Sequence, residues 1–211
     1  MMDRNLGALE LVPSSENSEN YKAYGLYYQW SRKDPSPVLG NIAPADAITW
    51  HTDVLSYDSI EASIQYPNVF VANSSWNNTQ YWTPEKSIYD PCPAGWKVAE
   101  KGIWNGISQN DLTVVNNTHR IIPEPYSVPQ ACYPMSGEYY SYWPGISDLN
   151  NVARLWCADV QEVLDMYWEG HLGFRSTSPC LGLSVRCMKD IASVAGGDSE
   201  DFETDDDKYE W

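Results

Sequence analysis

Apolar and polar residues alternate in short runs along this chain, and only one run has helical spacing. Tyr24, Leu26, Tyr28 and Trp30 fall on one face of a predicted strand, which Arg32-Lys33-Asp34-Pro35-Ser36-Pro37 ends. Residues 38–90 hold brief apolar stretches, such as 47–50 and 69–71, between Asn, Ser, Thr and Pro, and they predict long ordered loops. Residues 96–107 predict one short helix, with Ile103, Trp104 and Ile107 on its apolar stripe. Strand patterns return at 112–115, 120–122, 138–143, 152–158, 163–168, 172–175 and 183–188, and the last five predict a meander. The fold class is therefore α+β, mostly antiparallel sheet with few short helices and long loops.

The cysteines add a constraint. Cys92 sits in Asp90-Pro91-Cys92-Pro93-Ala94-Gly95-Trp96, where flanking prolines hold the backbone extended. Cys187 ends a run in which Leu183, Val185 and Cys187 share a face. A bond between Cys92 and Cys187 closes a loop of 95 residues and implies an oxidising compartment. The alternative is five buried free thiols in a cytosolic protein. No apolar stretch matches a signal peptide or a membrane span. Beside an oxidised pair, that implies a domain of a longer secreted protein.

Composition changes the picture in two places. Ten Trp and fifteen Tyr stand against three Phe, a balance suited to half-buried surfaces and binding faces. The formal charge of −16 argues against nucleic acid and anionic membranes as partners. Part of that charge is local: residues 198–211 carry eight carboxylates against Lys208 alone. Residues 191–211 therefore read as an acidic, disordered tail that adds nothing to the core.

Several ordered segments carry a resemblance. They are Met2-Asp3-Arg4-Asn5-Leu6-Gly7-Ala8, Tyr24-Gly25-Leu26-Tyr27-Tyr28-Gln29-Trp30-Ser31-Arg32-Lys33-Asp34-Pro35, the Cys92 segment, Pro134-Met135-Ser136-Gly137, and Leu183-Ser184-Val185-Arg186-Cys187-Met188-Lys189-Asp190. Together they resemble the Fibrobacter succinogenes major paralogous domain found in fimbrillin-like surface proteins of gut Bacteroidetes. The resemblance implies a single C-type-lectin-like domain over residues 1–190, the C-terminal part of a longer protein at the bacterial cell surface or fimbrium. In that fold, a cysteine before the first helix bonds one in the last strand, and Cys92 and Cys187 match these positions. It also implies a second bridge, Cys157 to Cys180, with Cys132 left free. The calcium-binding Glu-Pro-Asn, Gln-Pro-Asp and Trp-Asn-Asp triplets of sugar-binding C-type lectins are missing, which implies binding without metal.

Catalytic motifs are missing too. His51, His119 and His171 do not form His-Glu-x-x-His, there is no Cys-x-x-Cys and no Gly-x-Ser-x-Gly, and no carboxylate spacing marks a glycosidase. The expectation is a non-catalytic adhesive domain, with no cofactor or metal, that binds a glycan or a host surface protein. Tyr139, Tyr140, Tyr142 and Trp143 are the candidate ligand contacts, because aromatic residues there alternate onto both faces of a strand. The first alternative is a structural pilin-type subunit whose partners are other fimbrial subunits. The second is an enzyme related to the formylglycine-generating fold, which needs a reactive cysteine pair near the C-terminus.

Overall fold

The structure, a computed structural model, describes residues 1–14, 20–35, 49–51, 69–71, 82–115, 118–122, 131–139, 146–159, 161–167 and 169–191. The acidic tail of the sequence reading, from residue 192 onward, and most of the predicted loops of 38–90 lie outside these residues. In chain order the elements are α1 (Tyr21–Tyr24), β1 (Tyr27–Tyr28), β2 (Thr49–His51), β3 (Val69–Val71), β4 (Trp96–Val98), β5 (Thr113–Val115), β6 (His119–Ile122) and β7 (Ala131–Pro134). Then follow β8 (Glu138–Tyr139), β9 (Ile146–Ser147), β10 (Val152–Trp156), β11 (Glu162–Tyr167), β12 (Leu172–Ser176), β13 (Leu183–Val185) and β14 (Cys187–Lys189). Among the described residues sheet dominates and helices are few, as the alternation implies.

The main sheet has the order β1-β13-β10-β11-β12. The meander prediction holds for β10, β11 and β12, which pair antiparallel in sequence. It fails for the first of those five runs, whose β8 pairs with β9 in a separate two-stranded sheet, and for the last run, which breaks at Arg186. Its first half, β13, crosses back to lie parallel to β10 and antiparallel to β1, while β14 pairs with β4. The predicted helix over 96–107 is also absent. Its first residues form β4 opposite β14, and Lys101–Trp104 makes only one 3-10 turn, because Gly102 and Asn105-Gly106 weaken a longer helix.

Two cores flank the main sheet. Ala153, Leu155, Leu164 and Met166 turn to one side and meet Trp104, Ile122 and Tyr133. Trp156, Val163, Leu183 and Val185 turn to the other and meet Trp30 and Trp82. The three indoles pack edge to face around Trp30, with ring centroids 5.0 Å from Trp82 and 5.3 Å from Trp156.

Cys92 and Cys187 are joined by a disulfide inside this second core. Asp90 places the first of them. One carboxylate oxygen accepts the Cys92 N–H at 2.8 Å, and the other accepts the Val98 N–H at 2.9 Å. Val98 stands opposite Cys187 in the β4–β14 pair. Cys132, Cys157 and Cys180 are buried free thiols. The Cys157–Cys180 bridge implied by the resemblance is therefore not formed. Cys157 instead turns into the first core beside Leu155.

The N-terminal segment closes the far side. The Met2 N–H donates to the Cys187 carbonyl and the Leu6 N–H to the Val185 carbonyl, each at 2.8 Å. Arg186, fully buried, donates to Asn5 Oδ1 at 3.2 and 2.8 Å and to the Cys132 carbonyl at 2.6 Å, over the Tyr133 ring.

Gly137 makes the tightest approach. Its φ is +64°, and a Cβ there would lie 2.2 Å from the Ser147 carbonyl oxygen. Gly137→Ala is expected to cost at least about 2 kcal/mol, through backbone strain and a clash with a fixed carbonyl. A urea titration checks this, and an unchanged midpoint would contradict it.

His119 is buried in β6, and burial together with the neighbouring Arg120 charge lowers its pKa from the ordinary 6.5. The unfolded chain therefore takes up this proton first, and stability declines as pH falls below 6.5. In urea titrations at pH values either side of that point, His119→Gln is expected to flatten the decline. An identical pH dependence in the variant would contradict this.

Candidate functional site

The site is built from a charged pair in the apolar middle of the main sheet. In the β10–β11 register Arg154 faces Asp165. Strand alternation turns both away from the Leu155 and Leu164 core, yet Arg154 is only 5% exposed and Asp165 2%. Arg154 Nε donates to Asp165 Oδ1 at 3.1 Å. Its NH1 lies 2.7 Å from Glu138 Oε2 and 3.5 Å from Asp148 Oδ2. Its NH2 donates to the Tyr167 hydroxyl at 3.1 Å. The second Asp165 oxygen accepts from Arg175 Nε on the neighbouring edge strand β12. Charges thus alternate across the face, from Asp148 to Arg154, Asp165 and Arg175.

Burial works against the Arg154 cation, but the Glu138 and Asp165 charges outweigh it and raise its pKa above the ordinary guanidinium value. The ends of this chain of charges reach solvent, with the Asp148 side chain 49% exposed and that of Arg175 41%.

Two acids of the site come from one hairpin. Glu138 begins β8, and Asp148 directly follows β9, its antiparallel partner. The turn after β9 is held in an unusual conformation. Asp148 and Asn150 have φ of 54° and 62° without being glycine. The Asp148 carbonyl accepts the N–H groups of Asn151 and Val152, and Asn150 Oδ1 accepts from the Tyr24 hydroxyl. Residues that hold sparsely populated backbone angles tend to gather at functional sites.

The aromatic candidates of the sequence divide here. Tyr139 is 2% exposed, its ring edge to face with Tyr27 at 4.9 Å between centroids. It is a core residue, not a ligand contact, because the two-strand pairing turns it inward from Glu138. Tyr140, Tyr142 and Trp143 lie outside the described residues, in the connection that joins β8 to β9.

The sequence reading missed Glu138, Asp148, Arg154, Asp165 and Arg175. A signal existed: Val152-Ala153-Arg154-Leu155-Trp156 and Val163-Leu164-Asp165-Met166-Tyr167 each carry a single charge, of opposite sign, near the middle of an apolar strand. A lone charge in such a position demands a partner.

The arrangement offers acceptors and donors for hydrogen bonding and holds no poised nucleophile. Burial pushes the Cys132 thiol up to about 12 and the Cys157 thiol higher still. Among the described residues no three His, Cys, Asp or Glu side chains are grouped to hold a metal ion. Glu138, Asp148 and Asp165 already face guanidinium groups, and a cation would have to displace them.

Comparison with protein-family models, with curated proteins and with solved structures finds no match to this chain. The functional reading therefore rests on the geometry of its own residues.

Proposed function

We propose that this chain is a non-catalytic recognition domain of a bacterial cell-surface or fimbrial-tip protein, and that it binds a glycan without metal. The observation that carries the reading is the face around Arg154. It gathers three carboxylates, two guanidinium groups and a tyrosine hydroxyl, with Asp148 and Arg175 at its exposed ends. Sugar hydroxyls need such planar acceptors and donors, and apolar sugar faces stack on aromatic rings. The aromatic part rests on Tyr140, Tyr142 and Trp143. A host surface protein is the other ligand this face would suit.

A C-type-lectin-like fold is part of the proposal. Its support is the bridge from the segment before β4 to β14, and the packing of the N-terminal segment along the last strands. An extracellular setting draws support from the same bridge. The pilin-type alternative would use an open sheet edge such as β12, but Arg175 puts a charge on that edge, which disfavours strand addition. The formylglycine-type alternative would need Cys180 and Cys187 as a reactive pair, and Cys187 is engaged with Cys92.

A glycan array probed with the intact chain, with and without chelator, tests the reading. Binding that survives chelator is expected. Binding lost with chelator, or to no glycan at all, would contradict it.

A further inference from the structure

We infer that one face of the three-stranded sheet β5-β6-β7 holds a binding site for a small uncharged aromatic molecule, in a cavity lined by Leu11, Val12, Ile121 and Cys132. The site shares no residue with the Arg154 face and is independent of glycan recognition.

The strands build its floor. Ile121 of β6 and Cys132 of β7 stand directly opposite each other in the antiparallel pair. Their neighbours Ile122, Ala131 and Tyr133 enter the first core, so alternation turns Ile121 and Cys132 to the other face of this small sheet. The N-terminal segment supplies the wall. The N–H groups of Leu9 and Glu10 both donate to the Lys22 carbonyl of α1, at 2.7 and 3.0 Å. That anchor sets Leu11 and Val12 beside the Ile121–Cys132 pair, and the four residues line a cavity of about 220 Å³.

Size and chemistry name the ligand. An apolar cavity of about 150 Å³ takes up benzene. One of about 220 Å³ has room for a bicyclic ring. Leu11 and Val12 are 40% and 42% exposed, so the rim opens to solvent, while Cys132 at the floor is 5% exposed. A ring that fills the cavity removes this apolar surface from water. The described residues that line it carry no charge. The Cys132 thiol is free and has no hydrogen-bond partner among the described residues. Burial pushes its pKa up to about 12, so it stays protonated and neutral. A neutral thiol behaves as a small polarisable hydrophobe with a weak S–H donor, which suits it to an aromatic ring. An ionised or strongly polar group would meet neither counter-charge nor good partner at this floor.

The test uses the intact, disulfide-bonded chain with methyl-labelled Leu, Val and Ile, and a pair of bicyclic probes of equal size, indole and purine. Indole is expected to shift the methyl resonances of Leu11, Val12 and Ile121 saturably. Purine, whose ring nitrogens would be buried without partners, is expected to bind at least about tenfold more weakly. Cys132→Met extends a side chain into the cavity, and Val12→Phe plugs the mouth from an exposed position. Each is expected to weaken indole at least about tenfold, while Ile88→Phe, at an exposed position outside the cavity, leaves its affinity unchanged. Melting temperatures show which variants are folded, and Val12→Phe carries the test alone if the buried Cys132→Met substitution unfolds the chain. No saturable shift at these methyls, purine binding as tightly as indole, or undiminished indole binding in a folded Val12→Phe protein would overturn the inference. None of these results bears on the glycan array.

Discussion

Breaking the Cys92–Cys187 disulfide is expected to lower the unfolding free energy by about 4–5 kcal/mol. The bond closes a loop of 95 residues, and the chain-entropy cost of leaving so long a loop open is large. Both cysteines are buried in the tryptophan core with Trp30, Trp82 and Trp156, so the native packing around them stays in place until the chain unfolds. The loss therefore falls mainly on the unfolded state. Asp90 adds to the effect, because its carboxylate fixes the backbone of both Cys92 and Val98. Guanidinium titrations of the oxidised chain and of the Cys92→Ala/Cys187→Ala variant measure the difference. A loss below about 1 kcal/mol would mean that the loop is already closed by other contacts in the denatured chain.

Arg154→Ala is expected to cost about 3–5 kcal/mol, the usual penalty for removing one partner from a buried ionic network. The substitution strands Glu138 and takes from Asp165 one of its two guanidinium partners, and both carboxylates are largely buried. It also removes the donor to the Tyr167 hydroxyl. A companion variant separates charge from packing. Arg154→Met with Glu138→Gln and Asp165→Leu replaces the central ions by groups of similar volume, and is expected to recover a large part of the loss. Equal instability of the single and triple variants would show that shape, not charge, governs the face.

Period-two alternation found most of the strands, because β10, β11 and β12 are long enough for it to register. It did not find their environment. Every residue from Val152 to Trp156 is buried, since cores lie on both sides of the sheet. For the same reason the single face read into Tyr24, Leu26, Tyr28 and Trp30 is too simple: Tyr24 ends α1, and Tyr27 is as buried as Trp30. The stripe of Ile103, Trp104 and Ile107 is genuine burial without a helix, because Trp104 and Ile107 reach the core from a 3-10 turn and the residues after it. Cys92 was legible through its rigid flanks. The charge network was not, because its members come from β8, β10, β11, β12 and the turn after β9, and only the β10–β11 register brings the first pair together.

The most direct test of recognition without metal is to map chelator-resistant glycan binding onto this face. A neutral glycan retained on the array in chelator is titrated against the intact chain, Tyr142→Ala, Asp148→Asn, and Leu9→Ala on the exposed surface near the N-terminus. Binding at least about tenfold weaker in Tyr142→Ala and Asp148→Asn, with unchanged melting temperatures and an unaffected Leu9→Ala protein, is the predicted result. Binding abolished by chelator, or equal in all four proteins, would contradict it.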